Sequence, residues 1–308
     1  MFRLKRCLIL SVVIIITLSL AGCNFKPSVS EQTDFPININ GVEIAAQPLR
    51  IAVLSPSLAE IVEDLGYGAV LCGRTDECDR GLVAELPSAG SSIAPNAGIV
   101  ARWIPDLVIT SSEPAEEFSA ALHNSGIPLL IIPPVENYSE LGGLYRTVGQ
   151  VLAGKIAGET AGNALMNELG RRLDIHRMQT ASQSEKPVIL YAADAFGHVA
   201  TGDTIAHMII ESAGGVNAAA NDTQWAMTTE NLESAQIILC PAHLVEQIKT
   251  KFADAPAVIS GKVYGVDYRD FERQGMCISD AAEYVMSILY PPESPADTEP
   301  TEEYSQST

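Results

Sequence analysis

The segment Ser139-ELGGLYRTVGQVLA-Gly154, followed by Lys155-IAGETAGNALMNELGRRLDIHRMQ-Thr180, decides how the whole chain reads. The chain has 18 prolines, yet none falls between Pro134 and Pro187. Leu141, Leu144, Val148 and Leu152, then Ala161, Leu165, Leu169 and Leu173, recur at three and four, the spacing of one helical face. The register slips near Gly154, which predicts a shorter helix ending at about Leu152 and a longer one starting at about Ile156. Arg171 and Arg172 suit the C-terminal end of the longer helix. Roughly 24 residues at about 1.5 Å each span about 36 Å, the width of a small domain. The run Gly149-QVLA-Gly154-Lys155 matches the start of a phosphate-binding loop, but Ile156 stands where Ser or Thr would hold magnesium. It also follows a helix, not a strand, so it reads as a helix junction.

Outward from this segment lie two stretches with the same grammar. Before it, apolar runs at Ile51–Leu54, Ala69–Cys72, Leu107–Thr110 and Leu129–Ile132 read as strands. Helical patterns lie between them at Leu58–Leu65, Ile99–Trp103 and Glu116–Ser125. After it, Val188–Tyr191, Ile237–Cys240 and Lys262–Val266 read as strands. Their helices are expected at Thr204–Ala213, Thr229–Ala235, Val245–Phe252 and Ile278–Leu289. Short strands alternating with helices predict mainly parallel sheets covered on both faces. The expected fold class is α/β, two Rossmann-like lobes joined by one long backbone helix. A ligand cleft should lie between them at the carboxyl ends of the strands.

The chain begins with Arg3, Lys5 and Arg6, then an apolar run from Cys7 to Leu20, the pattern of an export signal and short for a membrane span. It ends in Leu20-Ala-Gly-Cys23, which resembles a bacterial lipobox with Cys23 as the lipidation site. Loss of those three positive charges takes the formal charge from −19 to −22. So acidic a chain has no basic patch for nucleic acid or anionic lipid, which leaves the lipid anchor as its membrane contact. The expected divisions are residues 1–22 as signal peptide, 23–48 as tether with one strand at Val42–Ala45, 49–138 as first lobe, 139–186 as connecting helices, 187–290 as second lobe, and 291–308 as a disordered acidic tail. Cys72, Cys78, Cys240 and Cys277 allow three full pairings, and sequence does not choose among them.

The order and spacing of several motifs resemble the helical-backbone substrate-binding proteins. Those motifs are Ile51-AVLSPSLA-Glu60 with Leu65-Gly66, Pro95-Asn96, Trp103-IPDLV-Ile109, Gly126-Ile-Pro128, Ala213-GGV-Asn217, Trp225, and Thr229-Glu230 with Leu232. These proteins serve ABC importers of cobalamin, ferric siderophores and haem. The resemblance spans about residues 49–290 and implies binding, not catalysis. The implied ligand is a corrinoid first, then a ferric chelate or haem, so the metal would be cobalt or iron within the ligand. It implies no further cofactor, and its partners are a permease dimer with cytoplasmic ATPases. Glu60 and Glu230 are the expected docking carboxylates, one per lobe, each on a helix at an equivalent place in its lobe. Arg273-Gln-Gly-Met-Cys277 departs from the family's Arg-Pro-Gly-Pro-Arg-like turn, which weakens any ligand contact borrowed from it.

Ligand contacts are expected in the loops that follow strands: Arg74, Thr75 and Asp76; Ser112; Phe196 and His198; and Tyr268 and Arg273. Trp225, an aromatic in a polar loop, is expected to stack on the ligand. Five dispersed histidines argue against direct binding of free zinc or manganese. No nucleophile elbow, zincin motif or glycine fingerprint occurs. Two other readings stay open: a two-lobed metal or tetrapyrrole chelatase, and a surface adhesion lipoprotein.

Overall fold

The structure, a computed structural model, describes residues 34–291. The expectations for the signal, for Cys23 and for the acidic tail lie outside the described residues. Residues 37–44, expected within a tether, are folded: β1 (Ile37–Ile39) and β2 (Val42–Ile44) form an antiparallel hairpin. Ile44 is buried, and ahead of the hairpin the Asp34 carboxylate accepts from the amides of Ile156 and Ala157 at 3.0 and 3.1 Å. A short polar stretch with scattered prolines gave no periodicity from which to read this docking.

The first lobe is built from β3 (Ile51–Val53), α1 (Pro56–Asp64), β4 (Leu71–Arg74), α2 (Ala97–Arg102), β5 (Leu107–Thr110), α3 (Glu116–Asn124) and β6 (Leu129–Ile131). Helix α1 starts where Ser55 and Pro56 say it should: the Ser55 side chain caps the helix and Pro56 occupies its first turn. The chain then folds back as α4 (Tyr138–Ala153) and crosses over as α5 (Lys155–Thr180). Gly154, at φ +86°, makes the reversal between them.

The second lobe follows as β7 (Val188–Tyr191), α6 (Ile205–Ser212), β8 (Val216–Asn217), α7 (Thr229–Ser234), β9 (Ile237–Pro241), α8 (Val245–Lys251), α9 (Pro256–Ile259), β10 (Val263–Val266), α10 (Tyr268–Glu272) and α11 (Cys277–Leu289). The expected fold class is the observed one. The sheets run β4-β3-β5-β6 and β10-β9-β7-β8, all parallel. Counted within its lobe, each has the strand order 2-1-3-4. The two-residue β8 was not expected, because Gly214-Gly215 before it reads as a helix stop.

Three apolar clusters hold this arrangement. Ala52, Val108 and Phe118 fill the outer face of the first sheet, and Leu190, Ile238 and Ile248 that of the second. The inner faces belong to one continuous cluster. It runs from Ile51 and Val53 through Leu141, Val148, Leu169 and Leu173 to Ile189 and Tyr191. The apolar stripe of the 139–180 segment therefore fuses the two lobes through one core.

Helices α4 and α5 cross at backbone contact. A Cβ added at Gly158 would lie 2.2 Å from the Gly149 carbonyl, and one at Gly162 would lie 2.8 Å from the Tyr145 carbonyl. Gly143 is different: a Cβ there meets only the end of Arg146, at 3.8 Å. Gly→Ala in a helix ordinarily stabilises by up to about 1 kcal/mol. Gly143→Ala should do so. Gly158→Ala should instead destabilise by about 1–3 kcal/mol, since the crossing must open to admit the methyl group. Opposite shifts in the urea midpoints of the two variants are the expected result.

Candidate functional site

Helix α10 with the turn after it sits where the lobes meet. Phe271 is buried and stacks on Tyr191, with ring centroids 4.6 Å apart and planes 7° from parallel. The Tyr191 hydroxyl donates to Glu272 at 2.8 Å. The next residues reach into the first lobe. The Gln274 amide group bonds the backbone of Val135 through both its N and its O, and its own N–H donates to Ser57 Oγ at 3.1 Å. The Met276 amide donates to Asp64 Oδ2 at 3.1 Å, an oxygen that also accepts from the Tyr145 hydroxyl at 2.5 Å.

Arg273 is the centre of this junction, with a side chain only 7% exposed. Its guanidinium donates to Glu60 at 2.8 Å, Asp79 at 2.6 Å and the Glu77 carbonyl at 2.9 Å. Burial alone would lower its pKa, but the bonds to Glu60 and Asp79 outweigh burial and raise it. Arg80, from the same loop of the first lobe as Asp79, pairs with Asp270 at 2.5 Å and Asp267 at 3.4 Å. Arg269 bonds Asp267 at 2.6 Å and holds its carboxyl down at about 2. Burial opposes ionisation of Asp79, yet Arg273 keeps that carboxyl below the usual range. Burial pushes Asp64 and Asp270 the other way, upward.

Beside this junction a cavity of about 340 Å³ opens between the lobes. Its first-lobe wall is Pro134–Glu136; its second-lobe wall includes Asp203, Gln224, Trp225 and Glu272. None of the described residues lining it is Arg, Lys or His. Burial raises the Glu272 carboxyl even against the hydrogen bond from Tyr191. Gln224 and Trp225 both take left-handed backbone conformations, φ +61° and +59°, which cost non-glycine residues about 1–3 kcal/mol each. The strain is held by Asp203, which accepts from the Gln224 amide at 2.9 Å, and by Thr201 Oγ1, which accepts from the Trp225 amide at 3.1 Å. The loop is braced to present Trp225 to the cavity.

Of the residues expected to meet a ligand, Trp225 lines this cavity. Asp76, Ser112, Phe196 and His198 are exposed in loops that follow strands, and Tyr268 is exposed at the start of α10. Phe196 is the extreme case at 87%. Three others are occupied within the protein. Thr75 is buried beside Cys78, and Arg74 spends its guanidinium on the carbonyls of Leu86, Thr75 and Asp76. Arg273 is enclosed as above. Arg74, Arg269 and Arg273 are each held by carboxylates or carbonyls, and none of the three lines this cavity. Nor do the two glutamates stand at equivalent places. Glu60 rides α1, after the first strand of its sheet, and is paired with Arg273. Glu230 is exposed in the first turn of α7, before the third strand of its sheet, and forms no ion pair with a described residue. Cys72, Cys78, Cys240 and Cys277 are free thiols.

Sequence reasoning missed Asp79, Arg80, Glu272 and Gln274. The charge-dense runs Glu77-Cys-Asp-Arg80 and Asp267-YRDFE-Arg273 were the available signal, but nothing local shows that runs about 190 residues apart meet.

The profile of the family described as periplasmic binding protein matches residues 51–268. The chain belongs to the periplasmic binding protein family. Members of this family bind and do not catalyse, so the chelatase alternative falls away. Solved structures share the fold of this periplasmic binding protein. The haem-binding protein RhuT from Roseiflexus sp. RS-1 is 22% identical with a TM-score of 0.65, covering 78% of this chain and 97% of that one. The vitamin B12 binding protein BtuF of Vibrio cholerae is 20% identical with a TM-score of 0.59, covering 79% and 96%. A protein of an ABC-type Fe3+-hydroxamate transport system from Saccharomonospora viridis is 16% identical with a TM-score of 0.64, covering 83% and 99%. No curated protein matches the chain significantly by sequence.

Replacing Arg273 tests the junction. Arg273→Met leaves Glu60 and Asp79 with only their longer contacts, to Arg80 at 3.9 Å and Arg269 at 3.5 Å, and should cost about 3 kcal/mol, the low end for a buried pair because those contacts remain and Asp79 is partly solvated. Because Arg273 holds the Asp79 carboxyl below its usual range, the stability of this pair is present above the unfolded value of 3.8 and is lost as pH falls through the depressed one. The gap between wild type and variant in urea midpoint should therefore be widest near neutral pH and narrow below about pH 4.

Proposed function

We propose that this protein is the extracytoplasmic solute-binding component of an ABC importer, tethered through a lipid on Cys23, and that it captures a metal chelate, a corrinoid before a ferric siderophore or haem. The observation that carries the choice of ligand is the cavity wall. Glu136, Asp203 and Glu272 supply carboxylates, Gln224 and Gln274 supply amides, Trp225 supplies a flat apolar face, and no base is among them. Carboxylates and amides suit the amide-bearing rim of a near-neutral corrinoid. They repel the propionates of haem and the charge of a catecholate complex. The bases that might have served such anions are committed to the lobe junction. An adhesion lipoprotein would have no use for a strained loop that presents a tryptophan to a cavity.

Difference spectra and tryptophan fluorescence after mixing the purified protein with hydroxocobalamin, haemin or a ferric hydroxamate test the ligand class. Corrinoid should bind most tightly, and Trp225→Ala should weaken it about tenfold or more, the worth of a stacked aromatic. Preferential binding of haemin would overturn the choice of corrinoid, and binding of none of the three would overturn the reading itself.

In this reading Glu230 meets an arginine of the permease, while Glu60 does so only by exchanging Arg273 for a partner's cation. Glu230→Ala should leave ligand affinity unchanged and reduce stimulation of the reconstituted transporter's ATPase, chiefly through slower docking. Unaltered stimulation would remove Glu230 from the docking surface.

A further inference from the structure

The end of the first lobe away from the cavity carries apolar side chains that its packing does not use. Leu49 is 71% exposed and Ile104 76%. Leu49 precedes β3 and Ile104 precedes β5, which are neighbours in the sheet, so both stand at the amino ends of its strands. They are tied to one another through the backbone. Asp106 accepts from the Leu49 amide at 2.7 Å and the Arg50 amide at 3.1 Å, and the Arg50 guanidinium donates to the carbonyls of Trp103 and Ile104. Beside them a hollow of about 260 Å³ has Ala45, Ala46, Pro48 and Pro128 in its wall.

Ile104 holds its place against its own preference. Its backbone is left-handed, at φ +50°, a conformation that β-branched residues avoid and asparagine takes readily. Arg50 fixes it from one side. The Trp103 ring before it is locked against Gly73, where an added Cβ would lie 2.2 Å from the indole. Backbone strain kept up to set an apolar side chain in water points to a partner that replaces the water.

The place where the chain enters this lobe indicates which partner. In the β1–β2 hairpin, Asn40 donates to the Ile131 carbonyl at the carboxyl end of β6. The two feet of the hairpin are therefore at the amino ends of the strands: Pro48 is in the wall of the hollow, and Asp34 caps α5 beside the exposed Ile156. Ten residues lie between Cys23 and Asp34, a reach of about 40 Å at most. A lipid on Cys23 ties this end of the lobe to the bilayer. Charge agrees with that contact. The formal −22 of the chain without its signal repels an anionic surface, but here Arg50, Arg102 and Lys155 are exposed against Glu43 and Asp106.

We propose that this end of the first lobe rests on the lipid bilayer, with Leu49 and Ile104 inserted at its surface. The inference rests on the lipid anchor at Cys23 proposed above. A flexible tether alone sets no orientation, and a second, apolar contact does. The cavity wall at Pro134–Glu136 follows the carboxyl end of β6, the opposite end of the same parallel strands, so a lobe seated in this way keeps its cavity open to solvent.

The chain has two tryptophans, so Trp225→Phe leaves Trp103, the neighbour of Ile104, as the reporter. The lipidated full chain with that change is reconstituted into phosphatidylcholine vesicles with and without brominated acyl chains. It should float with the vesicles, and brominated lipid should quench Trp103. Adding Leu49→Ser and Ile104→Asn should leave flotation unchanged and abolish the quenching. Because asparagine relieves the strain, Ile104→Asn alone should raise the urea midpoint while it weakens the quenching. Flotation without quenching in the parent chain, quenching that survives the two substitutions, or a lowered midpoint for Ile104→Asn overturns the proposal. So does a Cys23→Ser chain that is dimeric by light scattering and made monomeric by Ile104→Asn, which would give the patch to a second copy of the protein. A parent chain that does not float overturns the proposal together with the lipid anchor beneath it.

Discussion

One guanidinium, that of Arg273, ties the late part of the chain to the early part. A charge so enclosed is tolerable only because two carboxylates and a carbonyl converge on it from the first lobe, so its neighbours are constrained in turn. Glu60 must stay on the inward side of α1, the 77–80 loop must fold over, and the turn after α10 must enter the first lobe. Gln274 and Met276 follow Arg273 into it and bond Val135, Ser57 and Asp64. Where the resemblance implies a proline-containing turn, a buried ionic junction stands in this protein. The cavity is what remains beside the junction, which explains why its walls are acidic and its bases are elsewhere.

The second constraint is apolar and lies along α4 and α5. Because Leu141, Val148, Leu169 and Leu173 belong to the same cluster as the inner faces of both sheets, the lobes share a core. Moving one lobe far against the other would expose part of that core, at roughly 25 cal/mol for each Å² of apolar surface. Glycine contacts at the α4–α5 crossing leave little room for the helices to slide. On the proposed reading the ligand meets a prepared surface, with the strained Trp225 loop set before it arrives.

Much of this fold was legible because it depends on local pattern. The proline-free run, the period of three and four, and the alternation of short apolar runs with helices are each written within a few dozen residues. Trp225 was legible for the same reason, as an aromatic out of place in a polar loop. What escaped the sequence was long-range pairing. The ion pairs of Arg273 and Arg269 were invisible because Glu60, Asp79 and Asp267 are indistinguishable, as letters, from solvated acids. Glu60 and Glu230 looked equivalent because each sits on a helix near a strand, and only the strand order shows that their helices differ. Asp34 and the first hairpin were missed because three-residue strands carry too little periodicity to register.

The central claim is that the shared core and the Arg273 junction fix the separation of the lobes. Small-angle X-ray scattering of the soluble part of the chain, alone and saturated with hydroxocobalamin, tests it most directly. The account predicts curves that superimpose apart from the scattering of the added ligand, with an unchanged radius of gyration. A clear compaction on binding, of the kind produced by hinge closure between lobes, would contradict it.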